Sequence, residues 1–488
     1  MKRTSNRSSI GFLAIIAVAV GSISVTNTFL RWQKPVAQVV TQSETPQWAI
    51  DAVNETIIRW SSNAMTQTEA VEKINEVIVR LATGWTPPLV DLCPEPLIPS
   101  IELLKRPTVL ESGGKFYPAS SNIYTRGIIS HPDGKFLIGL ADQNEIRTQD
   151  FDATGVRIGL PRLLQDSHFG SPLGIIDMDN NAEGKMVIAW LQPSYPSSPI
   201  FRDHAMLKAR RYPTDNLYVL HHEVEVDVES NGNFPPLKPH VALADNGAFM
   251  VTWGEKYANG GIEARAYDIH GAPVGPSFVI REPSLADFSH SLSVAGDQYV
   301  VLFYSGGNNA GLYFKRYSLD GVEQGVAVRV GDFVSDLRDI DEGTFQVTGR
   351  DNGSFMIVRE FNGRVYGRVY NADGSPSTDQ FALSENDTRQ FAPTLAWSDN
   401  GTVLALWREE TRFGDRLLGR LFNEIGKPLG PETEIGHSES VDPLSKFSLT
   451  FVSADVHGNF VIEWRQDTNV DSTILARRFR SGTCSTPY

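Results

Sequence analysis

Seven segments of this chain close the same way, with an apolar residue, an arginine or its stand-in, and an aromatic ring. They are Ile146–Phe151 (IRTQDF), Leu207–Tyr212 (LKARRY), Ile262–Tyr267 (IEARAY), Leu312–Tyr317 (LYFKRY), Val365–Tyr370 (VYGRVY), Leu417–Phe422 (LLGRLF) and Ile474–Phe479 (ILARRF). Successive starts, at 146, 207, 262, 312, 365, 417 and 474, differ by 50 to 61 residues. A period of about 50 residues built from short strands points to a radial array of four-stranded blades.

A second mark lies upstream of each copy. A turn residue is followed six positions later by a bulky one: Gly134/Leu140, Gly184/Trp190, Gly247/Trp253, Asp297/Phe303, Gly353/Arg359, Gly401/Trp407 and Gly458/Trp464. The residues between are apolar and often β-branched, as in strands covered on both faces. The turns before them read HPDG, NAEG, ADNG, RDNG, SDNG and DVHG, which suit tight hairpins. A further Gly turn and a short fourth strand follow most rings. The expected fold class is therefore all-β, a seven-bladed β-propeller over residues 106–488. The last copy lacks a fourth strand, and residues 106–119 are expected to supply it. Both chain ends would then close the ring and remove an open sheet edge. Cys93 and Cys484, the two cysteines of the chain, flank that closure and are read as a disulfide.

The N-terminus carries Lys2, Arg3 and Arg7 ahead of an apolar run from Ile10 to Val20, then small residues. Residues 1–24 read as a signal peptide or, if uncleaved, a membrane anchor. Either places the remainder outside the cytosol, in the periplasm, on the cell surface or secreted. Residues 45–84 carry helical apolar spacing and a capping box at Thr66/Glu69, and are expected to form a helical hairpin. Residues 85–105 read as a Pro-rich linker. The net charge of −14 excludes nucleic acid as a general partner.

The repeat resembles one found in bacterial exported and surface-attached proteins: an Asp/Asn-Gly turn, an apolar strand ending in Trp, then Arg, an aromatic, Asp/Asn and a Gly turn. Ala244–Trp253 (ADNGAFMVTW) followed by Ala258–Gly275 shows it most clearly. The resemblance implies a β-propeller-type repeat in an envelope or secreted protein. It implies no reaction.

No familiar catalytic motif is present. The arginines at one place in the repeat, Arg210, Arg265, Arg368, Arg420 and Arg477, with Lys315 beside Arg316 in the fourth copy, read as structural because they follow its symmetry. Departures from symmetry are better candidates for binding. These are Arg359, which stands where other copies have a large apolar residue, and the insert 191–205 with Tyr195, Phe201, Arg202 and His204. Asp177, Asp179, Asn181 and Glu183 alternate like oxygen ligands of a loose Ca²⁺ loop, although the EF-hand glycine and final glutamate are missing. No other cofactor is expected. The leading expectation is a non-enzymatic binding or scaffold module for a protein or glycan partner. One alternative is an extracellular polysaccharide hydrolase or lyase using the central funnel. Another is an envelope assembly module docked by its helical hairpin.

Overall fold

The computed structural model describes residues 74, 91–94, 101–107, 124–141, 145–166, 176–193, 205–212, 223–226, 236–255, 261–281, 289–306, 310–331, 344–411, 414–438, 450–467 and 471–482. The chain divides into residues 1–89 and 90–488. Of the first unit only Ile74 is described, helical and buried. The leader (1–24) lies outside the described residues, as does the hairpin (45–84) apart from Ile74. Among the described residues no helix is long and apolar enough to cross a membrane.

In the second unit the strands form seven antiparallel sheets. Six consist of four strands in consecutive order, and the seventh gains strands from upstream. The first strands of the sheets are Tyr124–Ser130, Ile176–Asn180, Pro236–Leu243, His290–Ala295, Phe345–Gly349, Gln390–Trp397 and Thr450–Ala454. Each touches the first strand of the next sheet, and the last touches the first. Seven sheets joined in a cycle through their first strands make a seven-bladed β-propeller with those strands innermost.

The aromatic positions of the repeat explain the packing between blades. The ring ending each third strand pairs directly with a residue at the start of the second strand, and in three blades the two rings stack. Ring centroids are 4.9 Å apart for Phe136–Phe151, 4.6 Å for Phe249–Tyr267 and 5.2 Å for Phe355–Tyr370. These stacks face the preceding blade. Phe249, Trp253 and Tyr267 of blade 3 share one core cluster with Val187, Ala189, Leu207 and Ala209 of blade 2. Trp407 and Trp464 do the same one and two joints further on from the fifth blade. A strand residue alternates between faces, so its neighbours in sequence serve the opposite joint.

The repeated basic side chain has a structural task. Arg265, Arg368 and Arg420 each donate from Nε to a carbonyl ten residues on, at Gly275 (3.1 Å), Thr378 (3.0 Å) and Gly430 (2.8 Å). Each also lies over the ring two residues later. The next residue along faces the following blade. Where it is arginine it grips that blade's third-to-fourth turn: Arg211 donates to the Ile269 carbonyl, Arg316 to Ala372 (2.7 Å) and Arg478 to Ala153. Where it is Ala266, Val369 or Leu421, the joint is apolar.

The seventh sheet corrects two expectations. Ile101–Pro107 and Asp91–Pro94 both pair antiparallel with Asp471–Gly482. The stretch read as a linker, 85–105, therefore contains strand, and the outer strand comes from 101–107 rather than 106–119. The residues IELLKRP can extend because prolines bound them and the last strand's free edge supplies their partners. Residues 108–123 lie outside the described residues.

Gly349 marks the tightest approach between blades. A Cβ there would fall 2.6 Å from the Ala295 Cβ, with the Val294 carbonyl closer still. Both obstacles belong to the neighbouring inner strand, so neither can swing away. Gly349→Ala is expected to destabilise the protein by about 1–3 kcal/mol or more, read as a lowered urea midpoint.

Candidate functional site

Antiparallel order sends the connections between strands to opposite ends of the ring. First-to-second turns of two to five residues lie at one end, together with third-to-fourth connections that run nine or ten residues in blades 2 to 6. They repeat a single hydrogen-bond pattern. In blade 3, Gly247 N–H donates to Ala244 O (2.8 Å) and Ala244 N–H to Ala248 O (2.8 Å); Gly353 and Gly401 repeat the first bond. At the other end are the second-to-third and blade-to-blade connections, which vary widely. Phe361 and Arg364 are joined by two residues, whereas Pro193 leads to Ala205 and Gly331 to Phe345 only after long segments. Pro193 and Ala205, which bound the insert, are at this variable end; Tyr195, Phe201, Arg202 and His204 lie outside the described residues.

The inner strands carry the polar chemistry of this end. Asp177 reaches across to blade 3, where its Oδ2 accepts from Val241 N–H at 2.8 Å and lies 3.4 Å from His240 Nδ1. His240 in turn packs edge-on against His290 of blade 4, ring centroids 4.7 Å apart. His290 Nε2 lies 2.9 Å from the hydroxyl of Thr252. Three successive blades thus contribute Asp177, His240, His290 and Thr252 to one chain of polar contacts. Asp177 and His240 keep about a quarter of their side-chain surface exposed, at 25% and 27%, while His290 is buried. An imidazole braced by a carboxylate and still open to solvent can accept or donate a proton and can hydrogen-bond a hydroxyl or anionic ligand.

The four residues read as a Ca²⁺ loop have other partners. Asp179 Oδ2 accepts from Leu243 N–H at 2.8 Å. Asn181 Oδ1 accepts from Glu183 N–H and Lys185 N–H, and its amide donates to Ala244 O and Asp245 O. Glu183 pairs with Lys185 at 2.6 Å. Asp177 and Asp179 alternate because a strand places residues two apart on one face, and that face meets the backbone of blade 3. Among the described residues no group of three or more His, Cys, Asp or Glu side chains is placed to hold a metal ion.

The same bridging recurs at other joints. Ser291 and Ser293 Oγ accept from Val347 and Gly349 N–H (3.2 and 3.0 Å), Gln346 Oε1 from Leu395 N–H (2.8 Å) and Ser453 Oγ from Ser130 N–H (2.9 Å).

Arg359 corrects another expectation. It is 6% exposed, lies over Phe361 and donates to Gln380 Oε1 at 2.7 Å. A Cβ on Gly331 of the previous blade would come within 2.8 Å of its guanidinium. The flat cation fills this joint because glycine leaves room for it, and it offers no surface to a partner. Cys93 lies in the strand Asp91–Pro94, its backbone opposite Arg480, and Cys484 is outside the described residues.

An open pocket of about 640 Å³ sits at the variable end, lined by Asn362, Gly363, Arg364, Asp387, Thr388 and Arg389. Arg364 pairs with Asp387, and Arg389 with Glu410 at 2.9 Å.

Sequence reasoning missed His240, His290 and Thr252. A signal existed: two histidines stand in the first strands of successive repeats, 50 positions apart at 240 and 290.

No protein-family model matches the chain, and no curated protein matches it. Solved structures that resemble it include the β-propeller domain of the trilobed protease from Pyrococcus furiosus, described as having an open velcro topology (9% identity, TM-score 0.44, 75% of this chain and 99% of that one). Others are the polysaccharide lyase Uly1 (11%, 0.43, 77% and 94%) and a puromycin hydrolase S511A mutant complexed with PGG (13%, 0.43, 72% and 52%). These are likenesses at low identity and weak superposition, and none bears on activity.

Burial raises the proton affinity of Asp179, with Asp177 and Asp245 adding repulsion; the Leu243 and Asn180 amides oppose this, and the pKa reaches about 7. The residue as a whole is only half-buried, but protein packs closely around its carboxylate, and that environment sets the titration. The folded state therefore holds a proton that the unfolded chain has lost between about pH 4 and 7, and stability from this group falls as pH rises through that window. Asp179→Asn is expected to raise the urea midpoint at about pH 8 and to change it little at about pH 4.

Proposed function

We propose that the chain is an exported binding module that takes a protein or glycan partner on the end of the ring where the inner strands begin. The observation that carries this is the inequality of the two ends. Connections at one end are near-uniform in length within each kind, and those at the other run from two residues between Phe361 and Arg364 to thirteen between Gly331 and Phe345. Rigid blades with variable loops at one end are the arrangement in which recognition is varied without disturbing the fold. The polar chain Asp177–His240–His290 lies at that end, and the insert 191–205 starts there.

A second reading, a polysaccharide hydrolase or lyase, is favoured by His240. Its imidazole is oriented by Asp177 and backed by His290, as proton transfer to or from a sugar would require. Export rests on the basic, then apolar N-terminus. Ring closure by both ends rests on the pairing of 91–94 and 101–107 with the last strand, and a Cys93–Cys484 disulfide would lock it.

A glycan array and an affinity capture with the chain from Val25 onward test the function. Parallel samples carry His240→Ala or a short Gly-Ser turn in place of 195–203. The expected result is a specific partner that either change weakens. Turnover of a polysaccharide abolished by His240→Ala would establish the enzyme instead, and a partner indifferent to both changes would refute the assignment to this end. For the disulfide, alkylation of the unfolded protein is expected to label both cysteines only after reduction.

A further inference from the structure

We infer that Asn362 is a site of spontaneous deamidation, the chemically open one among the four described Asn-Gly pairs. The pairs are Asn246–Gly247, Asn352–Gly353, Asn362–Gly363 and Asn400–Gly401. Deamidation needs a free glycine nitrogen and a free asparagine side chain. The Gly363 amide nitrogen loses its proton to hydroxide and attacks Asn362 Cγ. A C–N bond forms, the Cγ–Nδ2 bond breaks, and the side-chain nitrogen leaves as ammonia. Water then opens the resulting succinimide at either carbonyl, giving aspartate or isoaspartate. No oxidant or cofactor enters the balance.

Three of the pairs are tied at both reacting groups. Gly247, Gly353 and Gly401 N–H donate to the carbonyls of Ala244, Arg350 and Ser398 at 2.8, 2.9 and 2.9 Å. The side-chain oxygens of Asn246, Asn352 and Asn400 accept from Ala248, Ser354 and Thr402 N–H at 2.9, 3.0 and 2.9 Å. Asn362 differs in each respect. Phe361 pairs with Arg364, leaving Asn362 and Gly363 as a two-residue hairpin with φ of 52° and 71°. Positive φ at both centres is the type I′ requirement, and glycine meets it without strain where asparagine tolerates it. In that turn neither the Gly363 N–H nor the Asn362 side chain has a hydrogen-bond partner among the described residues, and Asn362 is exposed.

The product would matter locally. A carboxylate at 362 would join Arg364, Asp387 and Arg389 around the pocket at the variable end. Isoaspartate would also lengthen the backbone of a hairpin whose Gly363 carbonyl accepts from Gln390 N–H at 2.7 Å.

The test is peptide mapping of the folded full-length protein during incubation in mildly alkaline buffer. Trypsin releases Glu360–Arg364, separate from the peptides holding Asn246, Asn352 and Asn400. The gain in mass from amide to acid, and isoaspartate by its distinct retention, are followed in each. Two hydrogen bonds hold each of the other sites, so Asn362 is expected to convert roughly tenfold or more faster in the folded protein. In concentrated urea the four rates are expected to converge. Equal native rates at Asn352 or Asn400 and Asn362 would overturn the inference, as would an Asn362 that persists through the native incubation while converting in urea.

Discussion

Every blade of this ring depends on how the inner strand's free edge is satisfied. The first strand of each sheet pairs on one side only, and its other edge carries no ladder among the described strands. An uncovered amide there would carry the cost of a lost hydrogen bond. The chain meets this with side chains in place of backbone. Asp177 and Asp179 take the amides of Val241 and Leu243, and Ser291 and Ser293 take those of Val347 and Gly349. Residues two apart on one strand serve amides two apart on the next, so the bridge copies the register of a sheet without being one. The close approach at Gly349 belongs to the same bridge, since its N–H is one of those taken.

Outside that inner circle, apolar surface does most of the joining. Aromatic stacks point to the preceding blade and the intervening residues to the following one, so each sheet is covered on both faces. The buried Trp190, Trp253 and Trp407 each fill one such joint. This double coverage is why the second strands read as unbroken apolar runs in the sequence.

Much of the architecture was legible because it follows a period. The ring of each third strand, the Gly turns and the apolar second strands recur, and they locate seven blades. What was not legible lay between repeats. Asp177 and Asp179 look like alternating metal ligands to a reader of one segment; their purpose appears only when Val241 and Leu243 of the next blade are set beside them. Arg359 breaks the pattern and so reads as a surface feature, but Gly331, 28 positions earlier in another blade (359 − 331), makes room for it. His240 and His290 escape notice because each alone is an ordinary strand residue, and their meeting depends on the angle between two sheets.

The two kinds of joint between blades imply that the repeats are not interchangeable parts. Arg211, Arg316 and Arg478 each require a turn carbonyl at a set height on the following blade. Ala266 instead leaves space for Phe278, which packs on the turn at Gly321, and Phe381 meets the turn at Gly426 in the same manner. A ring shortened or lengthened by one unit would set a cation against a surface shaped for a phenyl ring, or a phenyl ring against an unanswered carbonyl. The count of seven is thus written at the seams as pairwise compatibility.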